Sequence, residues 1–124
     1  MALQESGEMY LETILVLSQK SPFVRSIDIS EYMGYSKPSV SRAVGLLKKD
    51  ALITVNEEGH ILLTEQGRNV AEKILNRHQI LTAMLIRIGV SHETASKDAC
   101  RIEHVVSDET FNAIQDYLQK NNQF

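Results

Sequence analysis

Apolar residues recur at helical spacing along most of the chain, and two short β-rich runs interrupt that rhythm once. Gly7 to Gln19 carries apolar residues throughout its length, with Ser6 at the cap position. Met9, Glu12, Thr13 and Val16 share one face of the helix this predicts, and Tyr10, Ile14 and Leu17 share another. Ser21 and Pro22 break the pattern. Ser26 to Met33 then makes two turns of helix ended by Gly34, and Ser36 caps a third helix running to about Lys49, with Lys37 and Pro38 in its first turn. Proline is tolerated there because its missing N–H would be unpaired in any case. In this third helix Val40, Ala43, Val44 and Leu47 form one stripe, while Pro38, Ser41, Arg42, Gly45 and Lys49 lie opposite.

Leu52 to Val55 and His60 to Leu63 flank the turn Asn56-Glu57-Glu58-Gly59 and read as a hairpin. Thr64 caps a long helix to about Arg87, which Gly89 and Val90 end. Ser91 caps another to about Val106, and Ser107 a last one through Tyr117. The fold class is therefore mainly α: a winged helix-turn-helix over 1–66, followed by a helical part over 67–124. No internal repeat and no Ser/Gly-rich or Pro-rich linker interrupts it.

The chain has 124 residues, 43% of them hydrophobic and 23% charged, the make-up of an ordinary globular domain or two coupled subdomains. One cysteine makes no internal disulfide. With no signal peptide and no apolar run near the ~20 residues needed to span a bilayer, the expected location is the reducing cytoplasm, with no membrane partner. A net charge of −3 argues against nucleic acid only until its distribution is read. Between Lys20 and Asp50 six cations (Lys20, Arg25, Lys37, Arg42, Lys48, Lys49) face three anions (Asp28, Glu31, Asp50), so this stretch is locally basic.

Two helices, a tight turn between them and a hairpin behind are the order of a winged helix-turn-helix. An outward face of Ser36, Lys37, Pro38, Ser39, Ser41 and Arg42 suits duplex DNA: Arg42 reaches a guanine edge, the hydroxyls donate to phosphates or bases, and Gly45 lets the backbone come close. The same pattern also describes a solvated amphipathic helix. The wing is not basic, since Glu57 and Glu58 flank its turn, and His60 reads as a surface histidine.

Within Asp98-Ala-Cys-Arg-Ile-Glu-His104, Cys100, Glu103 and His104 stand at i, i+3 and i+4 and project from one helical face. A thiolate, a carboxylate and an imidazole are too soft a set for Mg²⁺ or Ca²⁺ and suit Fe²⁺, Zn²⁺, Co²⁺ or Ni²⁺. Met9 offers a thioether and Glu12 a further carboxylate. By spacing alone, Cys100 also fits a small core hydrophobe, the Glu-His pair a solvated helix, Met9 the core and His78 a surface position.

Glu8-Met-Tyr-Leu-Glu-Thr-Ile14, Ser36-Lys-Pro-Ser-Val-Ser-Arg42, Leu63-Thr-Glu-Gln-Gly67, Arg77-His78 and Asp98-Ala-Cys-Arg-Ile-Glu-His-Val-Val-Ser-Asp-Glu109 together resemble the diphtheria toxin repressor family of metal-dependent bacterial regulators. The resemblance implies a homodimer whose N-terminal module binds a palindromic operator. Its C-terminal helices would form the dimer interface and most of the metal site. By position, Met9, Cys100, Glu103 and His104 match the activating site of iron-responsive members, and Glu12 and His78 match ligands of manganese-responsive ones. His78 also matches an ancillary-site histidine.

Thr82 and Ser96 stand where the ancillary site of iron-responsive members has a carboxylate and a histidine, so that site is expected to be altered or absent. The chain ends without the SH3-like domain of longer members, as in the compact manganese branch, yet Met9 and Cys100 replace that branch's carboxylates. Ligand softness acts directly on the ion and favours Fe(II), with Mn(II) next and Zn(II), Co(II) or Ni(II) as substitutes in vitro. The resulting expectation is a metal-dependent transcriptional repressor, not an enzyme. A metal-independent or thiol-responsive winged-helix regulator is the rival. A small metalloenzyme using Glu103 and His104 would leave the recognition helix unexplained.

Overall fold

A computed structural model describes residues 5–121. In chain order it contains α1 (Glu5–Lys20), α2 (Ser26–Met33), α3 (Lys37–Lys49), β1 (Ile53–Val55), β2 (Ile61–Leu63), α4 (Glu65–Arg87), α5 (His92–Ile102) and α6 (Asp108–Lys120). Two compact units divide inside α4, at Glu72 and Lys73. No described helix is long and apolar enough to cross a membrane.

The first unit is a winged helix-turn-helix. Tyr10, Leu11, Ile14 and Leu15 of α1, Ile29 of α2, and Val40, Val44 and Leu47 of α3 are buried, so each helix contributes one apolar stripe to a shared core. The Tyr10 and Tyr35 rings meet edge to face at 6.1 Å. Burial raises the Tyr10 phenol above its ordinary pKa, with Tyr35 adding to the shift, so the ring packs as a neutral group. The turn between α2 and α3 is closed by Gly34, whose φ of 73° and N–H to the Ser30 carbonyl (2.9 Å) stop α2. Ser36 Oγ accepts from the Ser39 N–H at 3.3 Å and starts α3.

β1 and β2 pair antiparallel with Ile53 opposite Leu63 and Val55 opposite Ile61. The Ile61 N–H also donates to the Val24 carbonyl at 2.7 Å, which ties the wing to the segment before α2. His60 is buried at that junction, contrary to the surface position expected from sequence. Its Nε2 lies 3.3 Å from Arg25 Nη2, and its ring tilts against Phe23 at 4.6 Å. The hairpin's pairing to Val24 draws His60 in, and that pairing has no local signature.

The start of α4 is anchored to the wing. Thr64 Oγ1 accepts from the Gly67 N–H (3.0 Å) and donates to the Ala51 carbonyl (2.8 Å). Gly67 fits because its Cα faces the Leu52 carbonyl, where a methyl would overlap that oxygen.

The second unit holds the rest of α4 with α5 and α6 around Ile80, Leu81, Ala99, Phe111 and Leu118, with Met84, Ile102, Val106 and Ile114 packed against them. Ser91 and Ser107 cap α5 and α6 through the N–H groups of Thr94 (3.4 Å) and Thr110 (3.1 Å). Three boundaries differ from the expected ones by more than one residue. α1 is described from Glu5, so Ser6 lies inside it, and α6 continues to Lys120. α5 ends at Ile102, after which Glu103 keeps right-handed helical angles (φ −58°, ψ −24°) and residues 103–106 form a turn.

Two substitutions should move the first unit's stability in opposite directions. Ala51 has a φ of 61°, which is unfavourable for a residue with a Cβ, so Ala51→Gly should stabilise by up to about 1 kcal/mol. Gly67→Ala should destabilise by about 3 kcal/mol or more through overlap with backbone. Urea unfolding of both variants checks the signs.

Candidate metal centre and nucleic-acid face

In the second unit the turn after α5 carries Glu103 and His104, and α4 carries His78. The side chain of Glu103 is fully buried, and so is that of His104. Glu103 Oε2 lies 3.1 Å from His78 Nδ1, and Oε1 lies 3.3 Å from His104 Nε2. Ser96 Oγ stands 3.4 Å from the other nitrogen of His78. With Glu103 a carboxylate, His78 donates through Nδ1–H and accepts from the Ser96 hydroxyl at Nε2. Thr82 does not join this chain; its hydroxyl donates to the His78 carbonyl at 2.7 Å.

Arg77, next to His78 on α4, holds the turn in place. It donates to the Val106 carbonyl at 3.0 Å, pairs with Asp108 at the start of α6, and lies 5.0 Å from the Phe111 ring centre. The turn bearing Glu103 and His104 is thus fastened to α4 at one end and opens α6 at the other.

The residues fit a divalent transition metal. Among the described residues Glu103 Oε1 accepts no hydrogen bond, and leaving a buried charged acceptor unmet costs more than the roughly 1–3 kcal/mol of a neutral one. A cation beside that oxygen and the neighbouring imidazole removes the cost. Cys100, half-buried on the last turn of α5, adds sulfur chemistry one turn earlier. The structure brings His78, Glu103 and His104 together directly. Met9 and Glu12 belong to the first unit, one turn apart on α1 and both half-buried.

The other candidate residues form one exposed surface in the first unit. Ser36, Lys37, Pro38, Ser39, Ser41 and Arg42 are all exposed at the start and along the outer side of α3, and Lys48 and Lys49 continue it through the last turn. The stripe of Val40, Val44 and Leu47 is turned into the core, with Ala43 half-buried beside it. Leu46 was in neither stripe as read from sequence, and it is 58% exposed on the Arg42 side. Its position becomes legible only when the packed face sets the phase of the helix. The wing turn presents Glu57 and Glu58 to solvent, so it carries no basic contact surface.

Fold and site define a winged helix-turn-helix protein with a carboxylate–imidazole cluster in a second, helical unit. Residues 2–61 match the iron-dependent repressor N-terminal DNA-binding domain, and residues 64–123 match the iron-dependent repressor metal-binding and dimerisation domain. The chain belongs to the iron-dependent repressor family, which includes the diphtheria toxin repressor.

The iron-dependent repressor IdeR of Mycobacterium tuberculosis is 34% identical over 108 residues, 86% of this chain and 47% of its own length. The regulator MntR of Geobacillus kaustophilus is 32% identical over 114 residues, 92% of this chain and 81% of its own. The solved structure of the manganese regulator SloR superposes with a TM-score of 0.81 at 26% identity, over 96% of this chain and 55% of that one. The chain spans about half the length of the IdeR proteins it matches.

Glu103→Gln preserves size and a partner for His78 while removing the charge. A metal at 100 times its dissociation constant should stabilise the native protein by about 2.7 kcal/mol. The Gln variant should lose most of that gain, as read by thermal unfolding with and without Mn(II).

Proposed function

We propose that this protein is a metal-dependent DNA-binding transcriptional repressor acting as a cytoplasmic homodimer, with Fe(II) as co-repressor and Mn(II) as the next choice, and that it controls metal-homeostasis genes through a palindromic operator. The observation that carries this reading is the fully buried Glu103 carboxylate beside His78 and His104, in the same chain as an exposed recognition face. Family membership supports both halves. No catalytic role is assigned to any residue.

The donors we assign are Cys100, Glu103 and His104 from the second unit and Met9 and Glu12 from the first, with His78 joining through Nε2 once the ion replaces the Ser96 hydroxyl there. When bound, the ion would supply a divalent charge to meet the buried Glu103 carboxylate. Sulfur at Cys100 and Met9 is the reason for ranking Fe(II) above Mn(II), which prefers oxygen; Zn(II), Co(II) and Ni(II) are expected to substitute in vitro. His78 orients Glu103, Ser96 holds His78, and Arg77 keeps the turn where one Glu103 oxygen meets His78 and the other is left for the ion.

On the DNA side, Ser36, Lys37, Ser39 and Ser41 serve phosphates and groove edges, Pro38 packs at the helix start, and Arg42 reads a guanine through two parallel hydrogen bonds. A dimer places two such helices at half-sites separated by about one helical turn of DNA, about 34–36 Å, or a multiple of it.

Anaerobic capture of fragmented genomic DNA from the source organism, at one salt concentration, tests the reading. A few palindromic sites should be enriched with Fe(II), fewer or the same sites with Mn(II), and none with chelator alone. Cys100→Ala should weaken the metal requirement's Fe(II) preference, whereas Arg42→Ala should abolish enrichment and leave DNA-free metal affinity unchanged. Equal enrichment with chelator would contradict the co-repressor mechanism; if thiol oxidation then abolished it, the thiol-responsive reading would stand instead.

A further inference from the structure

Two features of α3 have no explanation inside the molecule. Gly45 stands in the middle of the helix, where glycine costs about 1 kcal/mol relative to alanine, yet an added Cβ there would meet nothing within 4 Å. Among the described residues no packing demand requires its small size. Leu46, the next residue, exposes 58% of its surface on a face otherwise made of serine, arginine, lysine and glycine. At 100° per residue Leu46 points within about 40° of Arg42 and about 125° from the centre of the stripe of Val40, Val44 and Leu47.

Both oddities answer to an object outside the chain that approaches the helix backbone closely and offers one apolar group beside a polar edge. Duplex DNA offers that combination in its major groove, where the thymine C5-methyl is the one apolar group among hydrogen-bonding edges. We propose that Leu46 is a specificity-determining residue that packs on a thymine methyl, and that Gly45 leaves room for the sugar-phosphate wall beside it. This rests on the DNA-binding reading above and deepens it.

Leu46 and Arg42 are four residues apart, about 6 Å along the helix, against a rise of about 3.4 Å per base pair. Each half-site therefore carries a guanine read by Arg42 and, within about two base pairs, a thymine read by Leu46. A Leu side chain cannot accept or donate a hydrogen bond, so its preference is for the methyl alone and not for the rest of the base.

Removing only that methyl tests the proposal. A duplex selected by the wild-type protein with Mn(II) from a random-sequence pool is remade with each thymine replaced in turn by uracil. Binding is then measured for the wild type, Leu46→Ala and Leu46→Met. At one thymine per half-site, uracil should weaken the wild type about fourfold, the worth of one buried methyl. Leu46→Ala should bind the thymine and uracil duplexes equally, and Leu46→Met should recover the preference.

Selection of a sequence with no uracil-sensitive thymine would overturn the proposal and leave DNA binding standing. So would the same uracil penalty in Leu46→Ala as in wild type. Failure to select any sequence with metal would overturn the DNA-binding reading itself and this inference with it. Gly45→Ala gives an independent reading: it should raise thermal stability while weakening DNA binding at least tenfold, and unchanged binding would remove the close approach from the account.

Discussion

A carboxylate taken out of water has to be met by donors or by positive charge, because an unpaired buried ion is among the costliest groups a fold can hold. Glu103 is such a carboxylate, with a side chain fully buried between two imidazoles. One oxygen is met by His78 at 3.1 Å, which is in turn engaged by Ser96. The other faces His104 and, among the described residues, accepts no hydrogen bond. A cluster satisfied on one side and open on the other fits a cation, since binding there would relieve a cost already present in the folded chain.

That arrangement depends on local events in the second unit. α5 stops at Ile102, and Glu103 and His104 occupy the turn that follows, so their side chains are placed by the turn and by Arg77 rather than by a continuous helix. Ser107 then opens α6 with extended backbone. In the first unit the analogous fixed points are Gly34 at the end of α2 and Ser36 at the start of α3, which set the tight turn and expose the face bearing Arg42. One unit thus holds the buried carboxylate and the other the exposed face of α3 that we propose contacts DNA.

Much of this was legible in the sequence, for identifiable reasons. The starts of α3, α4, α5 and α6 follow serine or threonine residues whose hydroxyls accept the expected N–H groups, and apolar spacing gave the buried stripe of α3 its correct phase. The end of α5 was not legible, because Glu103 keeps helical angles and the i, i+3, i+4 spacing persists through a turn that is no longer helix. Nor was the burial of His60, which follows from the pairing of Ile61 with Val24, thirty-seven residues earlier in the chain. For the metal centre, residue types and spacing pointed to Cys100, Glu103 and His104. The link from His78 to Ser96 needed the packing of α5 on α4, and Leu46 needed a fixed helix phase.

The central claim is that the centre built on Glu103 and the surface bearing Arg42 are thermodynamically coupled, and coupling of binding free energies is reciprocal. The most direct measurement is the protein's affinity for Mn(II), determined by competition with a chelating dye under anaerobic conditions, with and without saturating operator duplex. The account predicts that DNA tightens metal binding by the same factor by which metal tightens DNA binding. Equal Mn(II) affinity in the presence and absence of DNA would contradict it.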